Sequence, residues 1–133
     1  MAHSTSALEQ SLSMQEYELD FGLCQFFPDY VTYSINEGTD LDSEKLQKFY
    51  TLCRTVFKEQ EFGVIELKYA SFSINPLFYL QSKDLLKNVT SHSVVLSHQT
   101  QTALCDYESS FIKHCPVQVF YTLDDAINWT QSY

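Results

Sequence analysis

Alternation and clustering of apolar positions divide this chain into strands and helices. Tyr17 to Phe27 mixes aromatics with Glu18 and Asp20 and reads as a strand. Phe27-Pro28-Asp29 is a turn, because proline fixes φ and aspartate bonds its own neighbouring backbone. Tyr30-Val31-Thr32-Tyr33-Ser34-Ile35 is β-branched and aromatic throughout, which predicts the second arm of a hairpin. Asp40 to Glu44 then supplies capping and first-turn acids for a helix. Leu46, Phe49, Tyr50, Cys53, Val56 and Phe57 follow at helical spacing, with Lys45, Gln47, Lys48 and Arg54 on the other side. The helix is expected over Ser43 to Gln60, lying on a sheet. Phe62 to Lys68 starts on a run of apolar and small positions and predicts a central strand covered on both faces.

The second half repeats the theme. Tyr69 to Asn75 reads as a loop. Pro76 suits a helix's first turn, and Leu77-Phe78-Tyr79-Leu80 with Leu85-Leu86 reads as a second helix. Ser93 to Ser97 predicts a strand. Thr100 is placed to cap a third helix carrying Leu104, Tyr107 and Phe111. Val117 to Tyr121 predicts the closing strand, and Thr122 caps a last helix with Asp124 and Asp125 in its first turn. The order β-β-α-β-α-β-α-β-α implies an α/β fold: a mixed sheet with parallel pairs, right-handed crossovers and flanking helices. Residues 1–14 are small, polar and aperiodic and are expected to form a mobile tail. Residues 15–133 are expected to form one domain.

Composition sharpens this picture. The chain has 133 residues, long enough to bury a core without disulfides or metal, and its 9 Tyr and 10 Phe call for an aromatic one. A net charge of −9 repels phosphate backbones and anionic membranes. It serves solubility on the plain reading and a basic protein partner on the functional one. Cys24, Cys53, Cys105 and Cys115 form no C-x-x-C pair and are expected to be buried, reduced thiols, which fits a cytoplasmic setting. No signal peptide and no apolar run of membrane-spanning length is read.

Three pieces of the chain carry a resemblance. They are Tyr33 to Gly38 with the helix after it, Phe62 to Ile65 leading into Tyr69 to Pro76, and Val119 to Trp129. In this order they resemble the STAS-like domains of the anti-sigma factor antagonist superfamily, and look closest to a divergent, uncharacterised bacterial branch. The resemblance covers most of residues 16–132. It implies a non-enzymatic regulatory domain that binds partner proteins. It also implies a phosphoacceptor near the start of the helix after the central strand, where Ser71 and Ser73 stand. Neither serine follows the aspartate that family members carry there. A related lipid-exchange layout implies the alternative of a carrier for a small apolar ligand.

The remaining chemistry has plain explanations. Ser71 and Ser73 either receive phosphate at a helix N-terminus or cap that helix. His92 and His98 bracket one strand and are expected to be solvated; no metal motif or cofactor loop is present, and neither metal nor cofactor is expected. Cys105 beside His98 could form a nucleophile pair, against which a buried thiol is weighed. Phe72, Phe78 and Tyr79 are core residues by default, and a partner patch or apolar pocket by the sharper reading.

Overall fold

A computed structural model describes residues 15–98 and 101–133. The expected tail over residues 1–14 and the expected cap at Thr100 lie outside the described residues. Six strands form the main sheet in the order β1-β2-β3-β5-β7-β8. These are β1 (Gln15–Leu19), β2 (Gly22–Phe26), β3 (Tyr30–Ile35), β5 (Phe62–Lys68), β7 (Val89–Leu96) and β8 (Val117–Phe120). A separate parallel pair joins β4 (Asp40–Leu41) to β6 (Ser73–Ile74). The helices are α1 (Ser43–Phe57), α2 (Leu77–Gln81), α3 (Thr102–Ser109) and α4 (Leu123–Thr130).

The first stretch differs from its expected form. Tyr17 to Phe27 is not one strand but the two arms of a hairpin, with Leu19 facing Gly22 across a tight turn at Asp20-Phe21. The charged positions of β1 face solvent at the sheet edge, while Cys24 and Phe26 of β2 enter the core. β2 pairs antiparallel with β3. From β3 onward the pairs β3–β5, β5–β7 and β7–β8 are all parallel. Each crossover therefore advances one strand, and right-handed crossovers deliver their helices to a single face of the sheet.

That face holds the larger core. Leu46, Phe49, Tyr50, Cys53 and Phe57 of α1 pack on Val31, Tyr33, Phe62 and Val64, joined by Phe78 and Tyr79 of α2. Asp42 caps α1 by accepting from the Lys45 amide at 3.0 Å. The helix ends at Lys58, whose φ is 59°, three residues short of the expected limit counted from Phe57 to Gln60. The opposite face is covered by α4. Leu123, Ala126 and Ile127 pack on Ile65, Leu67 and Val95. Thr122 caps α4 as expected, accepting from the Asp125 amide at 3.3 Å. Gly63 is what lets α4 settle on β5: a Cβ there would overlap Thr130 Cγ2.

Tyr69 to Asn75 is not wholly a loop, because Ser73-Ile74 adds strand β6. Gly38, at φ +80°, turns the chain so that its amide donates to the Ser71 carbonyl at 2.7 Å. Among the described residues, no helix is long and apolar enough to cross a membrane.

Candidate functional site

β5 is buried at all seven positions, yet two of them are charged. Strand alternation sends Glu66 and Lys68 to the same face as Phe62 and Val64, toward α1, α2 and α3. The register sets Tyr33 of β3 directly beside Glu66 and sets His92 of β7 beside Val64, one side-chain step away. The Tyr33 hydroxyl donates to Glu66 Oε1 at 3.1 Å. His92 Nε2 lies 3.3 Å from the same oxygen. Lys68 Nζ is 3.7 Å from Glu66 Oε2 and donates to Glu108 Oε1 of α3 at 2.9 Å. The ammonium also sits 4.3 Å from the centre of the Phe72 ring, a cation–π contact. Three strands and one helix are thereby tied through one buried polar chain.

Ions this deep persist only when paired. Burial works hardest against the Glu66 charge, but the His92 bond, Lys68 and Tyr33 together outweigh it and hold the carboxyl below its usual range. Burial likewise opposes the Lys68 ammonium, and Glu66 and Glu108 overcome it, raising that group. Glu108 goes the other way: desolvation exceeds the help from Lys68 and pushes its carboxyl up. Burial also raises the phenols of Tyr33, Tyr50 and Tyr79 well above their ordinary range, so they remain protonated.

His92 corrects an expectation. It is not a solvated strand end but a fully buried residue inside β7, because the strand begins at Val89 rather than Ser93. His98 is exposed. His114 is lowered to about 4 by burial and stays neutral. Among the described residues, no group of three or more His, Cys, Asp or Glu is arranged to hold a metal. All four thiols are free. Burial pushes Cys24 and Cys115 up to about 12 and Cys105 up to about 11, so thiolate is scarce. Cys105 is buried, and its thiol pairs with Ser109 Oγ at 3.7 Å rather than with His98.

The five residues singled out in the sequence separate into two groups. Ser71 and Ser73 are exposed. Ser73 is not at a helix N-terminus: it lies in β6, and its hydroxyl donates to Asp40 Oδ1 at 3.0 Å. The N-cap of α2 is Pro76, and the side chain just before it, that of Asn75, accepts from the Leu77 amide at 3.2 Å. Phe72, Phe78 and Tyr79 are buried, in line with their default reading as core residues and not with the sharper one of an exposed patch. Phe72 lies beneath Lys68, Phe78 stacks on Tyr50 at 5.7 Å, and Tyr79 meets His92 edge-on at 5.9 Å. The exposed apolar side chains of this region are instead Leu77, Leu80, Leu104, Tyr107 and Tyr121. Leu77 and Leu80 lie on α2, Leu104 and Tyr107 on α3, and Tyr121 just after β8.

The charged chain had a sequence signal that periodicity alone passes over, namely a Glu-x-Lys inside an otherwise apolar strand. α3 had a misleading one. Leu104 and Tyr107 sit at helical spacing, yet the helix buries Cys105 and Glu108. The Lys68–Glu108 bond fixes the helix's rotation in that orientation.

No protein-family model and no curated protein matches this chain. Among solved structures, an uncharacterised DUF3478-family protein with a SpoIIAA-like fold, from Shewanella loihica PV-4, matches at TM-score 0.55 and 11% identity. The match covers 87% of this chain and 90% of that one. The chain therefore has the SpoIIAA-like, STAS-like α/β architecture expected from its sequence, a likeness of fold alone.

Proposed function

We propose that this domain is a non-enzymatic regulatory module, a divergent STAS-like protein that works by binding a partner protein in the cytoplasm. The observation that carries this reading is the placement of exposed apolar side chains. Of six large hydrophobics exposed among the described residues, two lie on α2, two on α3 and one just after β8. Exposed apolar side chains gathered on a polar surface mark recognition sites. The segment 69–75 leaves the carboxyl end of β5, the edge that open α/β sheets use for recognition, and offers Ser71 as an exposed hydroxyl. The acidic chain favours a partner with a basic surface. The closed aromatic core around Phe72, Phe78 and Tyr79 favours a partner-binding module over a carrier of an apolar ligand. The buried thiols, with their raised pKa values, favour a binding role over nucleophilic catalysis.

Photo-crosslinking in the native host tests this reading. A photoreactive residue at Leu104 or Tyr107 should yield a discrete protein adduct, and one at the exposed Lys48 of α1 should not. Adding Leu77→Glu and Leu80→Glu to the labelled protein should remove that adduct without unfolding it. Equal adducts from Leu104 and Lys48 would discard the surface.

A further inference from the structure

α3 differs from the other helices in what holds it. It has eight residues, too few to be stable as an isolated helix. Its N-cap, Gln101, makes no capping bond to it. The Gln101 side chain instead accepts from the Ser97 and His98 amides at 3.1 and 3.0 Å, and its amide reaches the Lys68 carbonyl at 3.4 Å. Two side chains of the helix are buried, Cys105 and Glu108. Cys105 packs on Val94, Leu96 and Val119, a cluster separate from both larger cores. A thiol is a small apolar anchor, so the strongest tie is the 2.9 Å bond from Lys68 to Glu108. An exposed contact between Thr102 Oγ1 and the Tyr121 hydroxyl at 3.2 Å adds little. Beyond the helix, Ile112 is buried in the main core and pins the chain.

We propose that α3 is a latched lid: it swings off β7 and β8 as a unit while the rest of the domain stays folded, and the Lys68–Glu108 pair is its latch. Opening uncovers Val94, Leu96 and Val119 and gives solvent access to Lys68. Lys68 keeps Glu66 as a partner when Glu108 leaves, so the sheet side of the broken latch is not an orphaned ion. Gln101 and Ile112 bound the moving segment at its two ends. This inference stands apart from the partner-binding reading, because it concerns the free protein.

Cys105 is a built-in reporter, since its thiol reacts only when α3 lifts. Cys53, fully buried on the inner face of α1, reports opening of the main core. Purified full-length protein is treated with iodoacetamide, and each cysteine peptide is followed by mass spectrometry. Backbone hydrogen exchange is measured in parallel at several sub-denaturing urea concentrations. In the wild type, Cys105 and the α3 amides should open faster than Cys53 and the β5 amides, with weak dependence on urea. Glu108→Ala, which removes the acceptor, should speed Cys105 labelling by roughly 10- to 150-fold, the range for losing one hydrogen bond to a charged group. Ile127→Ala on the opposite face should speed exchange of β5 and leave Cys105 unchanged, since Ile127 stays packed in the open-lid state. If Ile127→Ala accelerates Cys105 and β5 alike, α3 opens only when the whole domain unfolds and the lid is overturned. If Glu108→Ala leaves Cys105 unchanged, the latch is overturned. Should Glu108→Ala not fold, the wild-type and Ile127→Ala arms still decide whether a lid exists, and Glu108→Asp, which keeps the charge on a shorter arm, tests the latch by an intermediate acceleration.

Discussion

The two faces of the sheet are built from the same strands but held by different forces. Toward α4, β5 and β7 present Ile65, Leu67 and Val95, and the helix answers with Leu123, Ala126 and Ile127. One buried side-chain hydrogen bond, Ser93 to Thr130 at 3.0 Å, accompanies an otherwise apolar contact. Toward α1, α2 and α3, the same two strands present Glu66, Lys68 and His92. An apolar face is indifferent to pH and tolerates many residues of similar volume. An ionic face requires its partners to be present and charged, and in return it fixes which groups meet. The second face therefore specifies geometry, and the first mainly supplies burial.

Removing one member from each face should break this comparison most visibly. Glu66→Ala strips the acceptor from Tyr33, His92 and Lys68 together and should cost about 3–5 kcal/mol near neutral pH. Ile127→Ala, on the apolar face, should cost about 2–5 kcal/mol. Their pH dependence separates them. Glu66 is lowered on folding, so its contribution is present above the ordinary carboxyl value of 4.5 and is lost as pH falls through its folded value. Lys68 is raised, so its share is present below 10.5 and is lost as pH rises through its folded value. Glu108 is raised by burial and opposes Glu66: its share is present in acid and is lost as pH rises through its folded value. Urea denaturation at several pH values should show the Glu66→Ala loss shrinking in acid while the Ile127→Ala loss holds. A loss at Glu66 that does not change with pH would mean that its charge contributes nothing.

Much of this was readable from residue order. The Phe62–Lys68 strand, the Asp42 and Thr122 caps, and the face of Leu46, Phe49, Cys53 and Phe57 all follow from local patterns that tertiary contacts then reinforce. The hairpin within Tyr17 to Phe27 escaped because Gly22 falls just after its two-residue turn, Asp20-Phe21, so no Asn-Gly or Asp-Gly pair announces it. β4 and β6 escaped because two-residue strands leave no periodicity. The charged chain escaped for a deeper reason. Glu66, Lys68, His92 and Glu108 come from three elements, and each taken alone reads as a surface residue. A strand covered on both faces buries Glu66 and Lys68, but which groups they meet follows from strand register, which sequence spacing does not encode. The same holds for Ser73, whose partner Asp40 is 33 positions away.

A smaller effect sharpens the description of the apolar face. Gly63 meets Thr130 so closely that a methyl group cannot be added without displacing α4. Gly63→Ala should cost about 1–3 kcal/mol by overpacking. Thr130→Ser removes the obstructing methyl while keeping the hydroxyl that bonds Ser93. The double variant should therefore recover much of the loss, and a double-mutant cycle by urea denaturation measures that coupling. Additive losses would place the strain elsewhere on β5.

The smallest expected effect lies at the rim of the polar face, where the two candidate serines differ in surroundings. Ser73 already donates to Asp40, so a negative group placed there faces a carboxylate across the β4–β6 pair. Ser71 meets the fold through its carbonyl, which the Gly38 amide occupies, and its side chain is exposed. Ser73→Glu should therefore lower stability by about 0.5–1 kcal/mol, the scale of like charges set opposite each other on paired strands, and the loss should diminish as salt screens the repulsion. Ser71→Glu should leave the melting temperature unchanged, which makes it the cleaner probe of partner binding. Thermal melts of both variants at low and high salt check this directly. A loss at Ser71 equal to that at Ser73 would show that the loop as a whole resists charge, and the distinction between a structural serine and an available one would fall.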